Sequence, residues 1–105
     1  MALKGYQKEV DEWVKQHKIA YWKPHEILAR LMEETGELAR EINYVFGPKN
    51  KKSDEKKKDI EDEVGDILFT LCCLANSQNI DLDKALEKAL EKSKVRDRDR
   101  YEKKK

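Results

Sequence analysis

Two short acidic segments constrain the fold of this chain more than any other feature of its sequence. The segments 34–37 (E-T-G-E) and 63–66 (E-V-G-D) each carry a carboxylate, two spacer residues that include a glycine, and a second carboxylate. Residues three apart lie on one side of an α-helix, so each segment would present its two carboxylates together. The pattern therefore predicts two helices that each carry a pair of acidic side chains on one face.

These acidic pairs lie at the borders of apolar stripes. Leu31 and Leu38 flank Glu34 at helical spacing, and two isoleucines flank Glu63 in the same way. An ionised carboxylate at such a border is costly unless its charge is compensated, and four carboxylates together would repel one another. A hard divalent cation bound through oxygen is the natural compensation, and carboxylate ligands favour Mg²⁺ or Mn²⁺. We therefore predict one metal site formed by Glu34, Glu37, Glu63 and Asp66.

A simpler interpretation of the acidic pairs is that they belong to solvated helix faces. Charged residues make up 43% of the chain, so acidic pairs at this spacing are expected by chance. Their duplication inside apolar stripes favours the metal site. The matched glycines support it further, because glycine in a helix interior costs about 1 kcal/mol relative to alanine. We expect Gly36 and Gly65 to allow a close approach of the two helix backbones where they cross.

The spacing of apolar residues predicts an all-α, four-helix bundle-like fold. Such residues recur at helical intervals over about residues 3–18, 24–45 and 58–77 and again from 82 onwards, without strand-like alternation. Pro24 suits the first turn of the second helix, and Asp81 suits the N-cap of the fourth. We predict a single domain over residues 1–105. Within it we expect a mobile, lysine-rich loop at 46–56, with the third helix beginning between 54 and 58, and a flexible tail at 102–105.

Composition limits the environment and the partners of the chain. The formal net charge of +1 indicates neither a nucleic-acid-binding nor a membrane-binding protein. The adjacent Cys72 and Cys73 are poorly placed for an ordinary disulfide, which is typical of a reducing, cytoplasmic location. The segment 67–75 is too short to span a bilayer, yet it is apolar on nearly every side. We therefore expect a homodimer or homotetramer whose interface includes Phe69, Cys72 and Cys73.

The acidic segments and their surroundings resemble the small, single-domain MazG-like nucleoside triphosphate pyrophosphohydrolases. The pattern E-E-x-x-E at 33–37 is followed, after 25 residues, by E-x-x-D at 63–66. Segments 29–41, 65–69 and 96–101 add to the likeness, which covers about residues 5–101. It implies an enzyme that hydrolyses a nucleoside or deoxynucleoside triphosphate to the monophosphate and pyrophosphate, as nucleotide-pool housekeeping.

The same resemblance implies roles for individual residues. It assigns the Mg²⁺ ligands to Glu34, Glu37, Glu63 and Asp66, with Mn²⁺ as the alternative ion. Glu34, or secondarily Glu33, would accept the proton of the attacking water, although Glu33 could instead pair with a basic residue. The positions of Lys92, Arg96 and Arg100 suggest phosphate binding, for which guanidinium groups are well suited.

Trp22 belongs to an aromatic pair in the connector before the second helix. An aromatic ring beside a lysine and a histidine would suit one wall of a nucleobase site. The same rings could instead plug the end of the helical bundle, and the sequence leaves both interpretations open.

Two other classes of protein are alternatives to a pyrophosphohydrolase. A di-iron carboxylate bundle uses Glu-x-x-His pairs, and neither His17 nor His25 has a glutamate three residues before it. A non-catalytic, helical nucleotide-sensing or interaction module would keep the fold but lack turnover. Release of pyrophosphate distinguishes that module from an enzyme.

Overall fold

A computed structural model describes residues 2–48 and 60–104, and these residues form four helices without a strand. The all-α prediction is thus confirmed. The first residue of the expected mobile loop, residue 46, belongs to the second helix. The part of that loop from residue 49 onwards lies outside the described residues, and so does the expected start of the third helix. Of the expected tail, residues 102–104 are exposed and non-helical. The helices are α1 (Ala2–Val14), α2 (Pro24–Phe46), α3 (Ile60–Ser77) and α4 (Leu82–Arg96).

Local chemistry explains the helix ends. Pro24 opens α2, where the missing N–H of proline removes no helical hydrogen bond, and the backbone N–H of Lys23 donates to Oε1 of Glu26 over 2.9 Å. The carboxylate of Asp81 caps α4 by accepting from the backbone N–H of Asp83 at 3.0 Å, as predicted. α1 ends earlier than expected, because the chain after Val14 turns through shorter-range hydrogen bonds.

α3 is the central helix: α2 and α1 both pack against it, and α4 packs against α1. Val14, Ile27, Cys72 and Ala75 are the buried apolar residues at these contacts. The expected close approach at the two helix glycines is wrong within this chain. Among the described residues, a Cβ atom added at Gly36 or Gly65 would meet no atom within 4 Å, so no described part of the chain packs against either position.

A polar network joins α1 to the turn between α3 and α4. The side-chain amide of Gln7, which is buried, donates to Oδ1 of Asn76 at 3.0 Å and to the carbonyl oxygen of Ile80 at 2.8 Å. Its Oε1 accepts from the backbone N–H of Leu82 at 2.8 Å. Asn76 returns a bond from Nδ2 to the backbone oxygen of Gln7 at 2.9 Å. One glutamine therefore fixes the end of α3 and the start of α4 on α1.

The apolar half of α3 departs from the expectation at one of its three predicted interface residues. Cys72 is buried inside the single chain, so the prediction that it contributes an exposed interface surface is wrong. Both cysteines are free thiols. Phe69, which was expected at the same interface, is 42% exposed. Further large exposed apolar side chains lie on the other helices, among them Leu28, Met32, Val45, Phe46, Leu86, Leu90 and Val95. None of the described helices has the length and apolar character needed to cross a membrane.

Candidate metal centre and adjoining cavity

Three of the four predicted metal ligands meet where α2 packs against α3. One carboxylate oxygen from each of Glu34, Glu37 and Glu63 lies within 4.8 Å of the others. Glu34 and Glu37 are one helical turn apart on α2, so their side chains share the face that α3 covers. Glu34 is only 2% exposed and Glu63 is fully buried, at 0%. The fourth residue, Asp66, lies outside this close group but lines the cavity beside Glu34.

The electrostatics of Glu34 show how closely these groups are placed. Burial raises the pKa of the Glu34 carboxyl above its usual range, the Arg30 guanidinium opposes this rise, and the charges of Glu37, Asp66 and Glu63 add to it. All four acidic side chains predicted to act together therefore interact at this point. The carboxylates repel one another in the absence of a cation.

The oxygen atoms of Glu34 are unequal. Oε1 lies 2.7 Å from Nη2 of Arg30, whereas the buried Oε2 accepts no hydrogen bond from any described residue. A buried carboxylate oxygen left in this way is costly unless a ligand compensates it. The oxygen-only donor set around it fits a hard divalent cation of the Mg²⁺ or Mn²⁺ type.

Arg30 is a site residue that the sequence analysis missed. Its guanidinium contacts Glu34 and also lies 3.9 Å from Oε2 of Glu33, whose side chain is mostly exposed. Glu33 therefore pairs with a basic residue, as one of its two interpretations required. The signal was present in the sequence, because Arg30 precedes these glutamates by three and four residues, the spacing of helical ion pairs.

A cavity of about 460 Å³ adjoins the carboxylates. Arg30, Glu34 and Asp66 line its charged part. Its α3 wall continues to Cys73, about 10 Å further along the helix at the usual rise per residue. The rest of the wall is mostly aromatic and apolar and includes Trp22 and Tyr21, the aromatic pair of the connector. It also includes rings that the sequence analysis did not assign to a site, namely Trp13, His17 and Phe69.

The aromatic rings contact one another. The ring of Trp13 meets that of Phe69 edge to face, with centroids 6.1 Å apart, and lies 4.7 Å from the ring of His17. Such contacts fix the orientation of large side chains. The cavity therefore combines a charged part with a wall of aromatic rings.

The basic residues predicted to bind phosphate lie outside this cavity in the single chain. Lys92, Arg96 and Arg100 are exposed, and none of them lines the cavity. The two arginines pair with Asp97, at 3.1 Å for Arg96 and 3.4 Å for Arg100. Their role in phosphate binding stays a prediction.

Comparison with known proteins agrees with this arrangement. The MazG nucleotide pyrophosphohydrolase domain matches residues 22–101. The uncharacterised protein YpjD of Bacillus subtilis (strain 168) is 47% identical over 102 residues, which cover 97% of this chain and 92% of the relative. α1 precedes the residues that match the domain.

Two solved structures share the fold. A crystal structure of YpjD from Bacillus subtilis superposes with a TM-score of 0.77 at 48% identity, covering 86% of this chain and 92% of that one. The Bacillus-conserved MazG protein, described as a nucleotide pyrophosphohydrolase, gives a TM-score of 0.74 at 44% identity, covering 86% of each chain. The chain therefore belongs to the MazG nucleotide pyrophosphohydrolase family and is a pyrophosphatase hydrolase of that family.

Proposed function

We propose that this enzyme hydrolyses nucleoside or deoxynucleoside triphosphates to monophosphates and pyrophosphate, in a reaction that requires Mg²⁺ or Mn²⁺. The observation that carries the proposal is the convergence of Glu34, Glu37 and Glu63, with one buried oxygen of Glu34 that accepts no hydrogen bond from the part of the chain that the structure describes. The description of the similar Bacillus-conserved MazG protein as a nucleotide pyrophosphohydrolase supports the substrate class. A role in nucleotide-pool housekeeping in the cytoplasm belongs to the same proposal.

Glu34, Glu37 and Glu63 would hold the cation, with Asp66 completing the set from the cavity side. A bound divalent cation neutralises polyphosphate charge and lowers the pKa of the attacking water. Glu34 is our first choice to accept the proton of that water, because its carboxylate belongs to the acidic group and also lines the cavity in which the substrate would lie. Glu33 is the second choice. The water oxygen bonds to phosphorus as the anhydride bond between the α and β phosphates breaks, and pyrophosphate leaves.

The aromatic part of the cavity suits a nucleobase. Its volume of about 460 Å³ is within the usual size of small-molecule sites, and Trp22 and Trp13 offer flat apolar surfaces for stacking. In this arrangement the base lies among the rings and the triphosphate extends towards Asp66 and Arg30. Trp22 would thus be a substrate-binding residue.

Phosphate binding by Lys92, Arg96 and Arg100 needs a further movement or a second subunit, because these residues lie outside the cavity of one chain. We propose a homodimer or homotetramer. The exposed apolar side chains of α2 and α4 support assembly, since soluble monomers rarely leave large apolar patches uncovered. A stable monomer at micromolar concentration in light scattering would contradict this part of the proposal.

The test of the catalytic proposal is release of pyrophosphate from a panel of ribo- and deoxyribonucleoside triphosphates, with Mg²⁺ and with a chelator. We expect Glu34→Gln and Asp66→Asn to lower metal-dependent turnover about 10²-fold or more, as loss of a proton acceptor or cation ligand does. Glu87→Gln, an exposed position on α4, is the matched control and should retain activity. Full activity in both site variants would show the assignment to be wrong, and no release from any nucleotide would favour the non-catalytic module.

A further inference from the structure

Arg30 occupies the boundary between the acidic group and the cavity. Its guanidinium lies 2.7 Å from the buried carboxylate of Glu34, while its own side chain is 49% exposed. It also lines the cavity together with Asp66. One basic side chain therefore contacts a proposed metal ligand and faces the space where an anionic substrate would enter.

A divalent cation and the Arg30 guanidinium compete for the same carboxylate. Both are positive, so a cation bound to Glu34 repels the guanidinium and takes over its role as counterion. An arginine released from a carboxylate still presents a planar set of donors, which fits phosphate oxygens bidentately. Its half-exposed side chain has room to move into the cavity.

We propose that Arg30 is the counterion that a divalent cation replaces at Glu34, and that the displaced guanidinium then binds a phosphate oxygen of the substrate. The inference rests on the proposed function, because it takes the metal and the polyphosphate as the ligands of this site. Arg30 is then a substrate-binding residue whose contact with phosphate depends on the bound metal.

This exchange couples the two ligands. With the cation absent, Arg30 is held by Glu34 and the acidic group repels polyphosphate. With the cation bound, the acidic charge is neutralised and the guanidinium is available to the cavity. Coupling of this kind is reciprocal, so bound polyphosphate must also strengthen cation binding.

The test separates the two halves of the exchange by binding measurements that need no turnover. Affinity for Mn²⁺ alone is measured by electron paramagnetic resonance, and affinity for inorganic pyrophosphate by calorimetry at saturating Mg²⁺. Arg30→Gln should bind Mn²⁺ about three- to fivefold more tightly, because it removes a competing cation. The same variant should bind pyrophosphate about tenfold or more weakly, because it lacks a charge-assisted hydrogen bond.

Two further variants complete the design. Arg30→Lys keeps the positive charge but loses the planar set of N–H donors. Its Mn²⁺ affinity should therefore stay near wild type while its pyrophosphate binding weakens. Lys88→Gln removes one positive charge from an exposed position on α4 and should change neither affinity. Opposite changes in the two affinities are not expected from a residue that only stabilises the fold.

Unchanged or weaker Mn²⁺ binding by Arg30→Gln would overturn the inference, as would wild-type affinity for pyrophosphate. If the glutamine variant fails to fold, wild-type pyrophosphate affinity in Arg30→Lys overturns it as well. Failure of the proposed function looks different: the wild type then releases no pyrophosphate from any nucleotide, whatever the Mn²⁺ measurements show.

Discussion

The side-chain amide of Asn76, near the end of α3, donates a hydrogen bond to the hydroxyl of Tyr21 across 3.1 Å. That hydroxyl in turn donates to Oδ1 of Asp11 on α1. Because Asn76 also belongs to the Gln7 network, these bonds tie the connector between α1 and α2 to the frame of the bundle. The connector carries Trp22, so the network positions one wall of the cavity.

Replacing Tyr21 with phenylalanine should therefore destabilise the fold. The variant removes the donor to a carboxylate and leaves Asn76 with one fewer acceptor, which typically costs about 1–3 kcal/mol. Urea unfolding measures the loss. Tyr6→Phe is the matched control, because Tyr6 is 62% exposed, and the unfolding free energy of this variant should stay near wild type.

The pH dependence of this effect follows from Asp11. The hydrogen bond from Tyr21 lowers the pKa of Asp11 below its usual 3.8, with a further contribution from Lys15. A carboxylate with a lowered folded pKa contributes stability above pH 3.8 and loses it as the pH falls through the folded pKa. The stability difference between wild type and Tyr21→Phe should be full at neutral pH and shrink below pH 3.8. A difference that stays constant in acid would contradict this role for Asp11.

The acidic group should destabilise the protein when no cation is bound. Oxygens of three carboxylates lie within 4.8 Å of one another, a separation at which two charges repel by about 1–4 kcal/mol between water-like and protein-like dielectrics. Glu63→Gln removes one of these charges and should raise the melting temperature of the chelator-treated protein by several degrees. Calorimetry or circular dichroism measures the shift.

Adding Mg²⁺ should reverse the order of stability. A ligand at 100 times its dissociation constant stabilises the folded state by about 2.7 kcal/mol, and Glu63→Gln should lose most of this gain. Glu61→Gln, an exposed position on the same helix, should respond to Mg²⁺ like the wild type. Equal Mg²⁺ responses in wild type and Glu63→Gln would exclude Glu63 as a ligand.

The basic residues after α4 give a separate prediction. If Arg96 and Arg100 bind phosphate in the working enzyme, the double change to glutamine should raise KM about tenfold or more and leave Mn²⁺ affinity unchanged. Asp97→Asn should lower KM by a smaller factor, because it releases both guanidinium groups from their present partner. An unchanged KM in the double variant would show that neither arginine binds the substrate.

Sequence reasoning predicted most of the fold because local rules determine it. Apolar spacing predicted four helices, and the residue types at Pro24 and Asp81 predicted two of the helix starts. The meeting of Glu34, Glu37 and Glu63 was predicted too, since helical spacing puts each pair on one face and apolar flanks turn that face inward.

Features that depend on packing between distant segments were less accessible to sequence reasoning. The network around Gln7 and Asn76 joins residues 69 positions apart, and no local pattern marks such a pair. The cysteine at 72 was expected at an interface because periodicity shows that a residue is apolar but not which helix covers it. Arg30 differs from these cases, because its helical spacing predicts an ion pair with Glu33 and Glu34 but does not show that this pair lies at the wall of a cavity.

The two helix glycines give the last prediction. Within residues 2–48 and 60–104, no atom lies within 4 Å of a Cβ added at Gly36 or Gly65, so alanine fits at both positions without displacing any of these residues. Glycine in a helix interior is less stable than alanine by about 0.5–1 kcal/mol, so each substitution should stabilise the protein by that amount. Gly5→Ala is the control for the size of the helix effect, because a Cβ added there also meets no described atom within 4 Å.

Denaturant unfolding measures stability and light scattering measures the mass of the assembly. We expect all three alanine variants to be more stable than the wild type and the mass of the assembly to stay unchanged. A gain at Gly5 alone, with loss of mass or stability at Gly36 or Gly65, would contradict it and would place the close approach between copies of the chain.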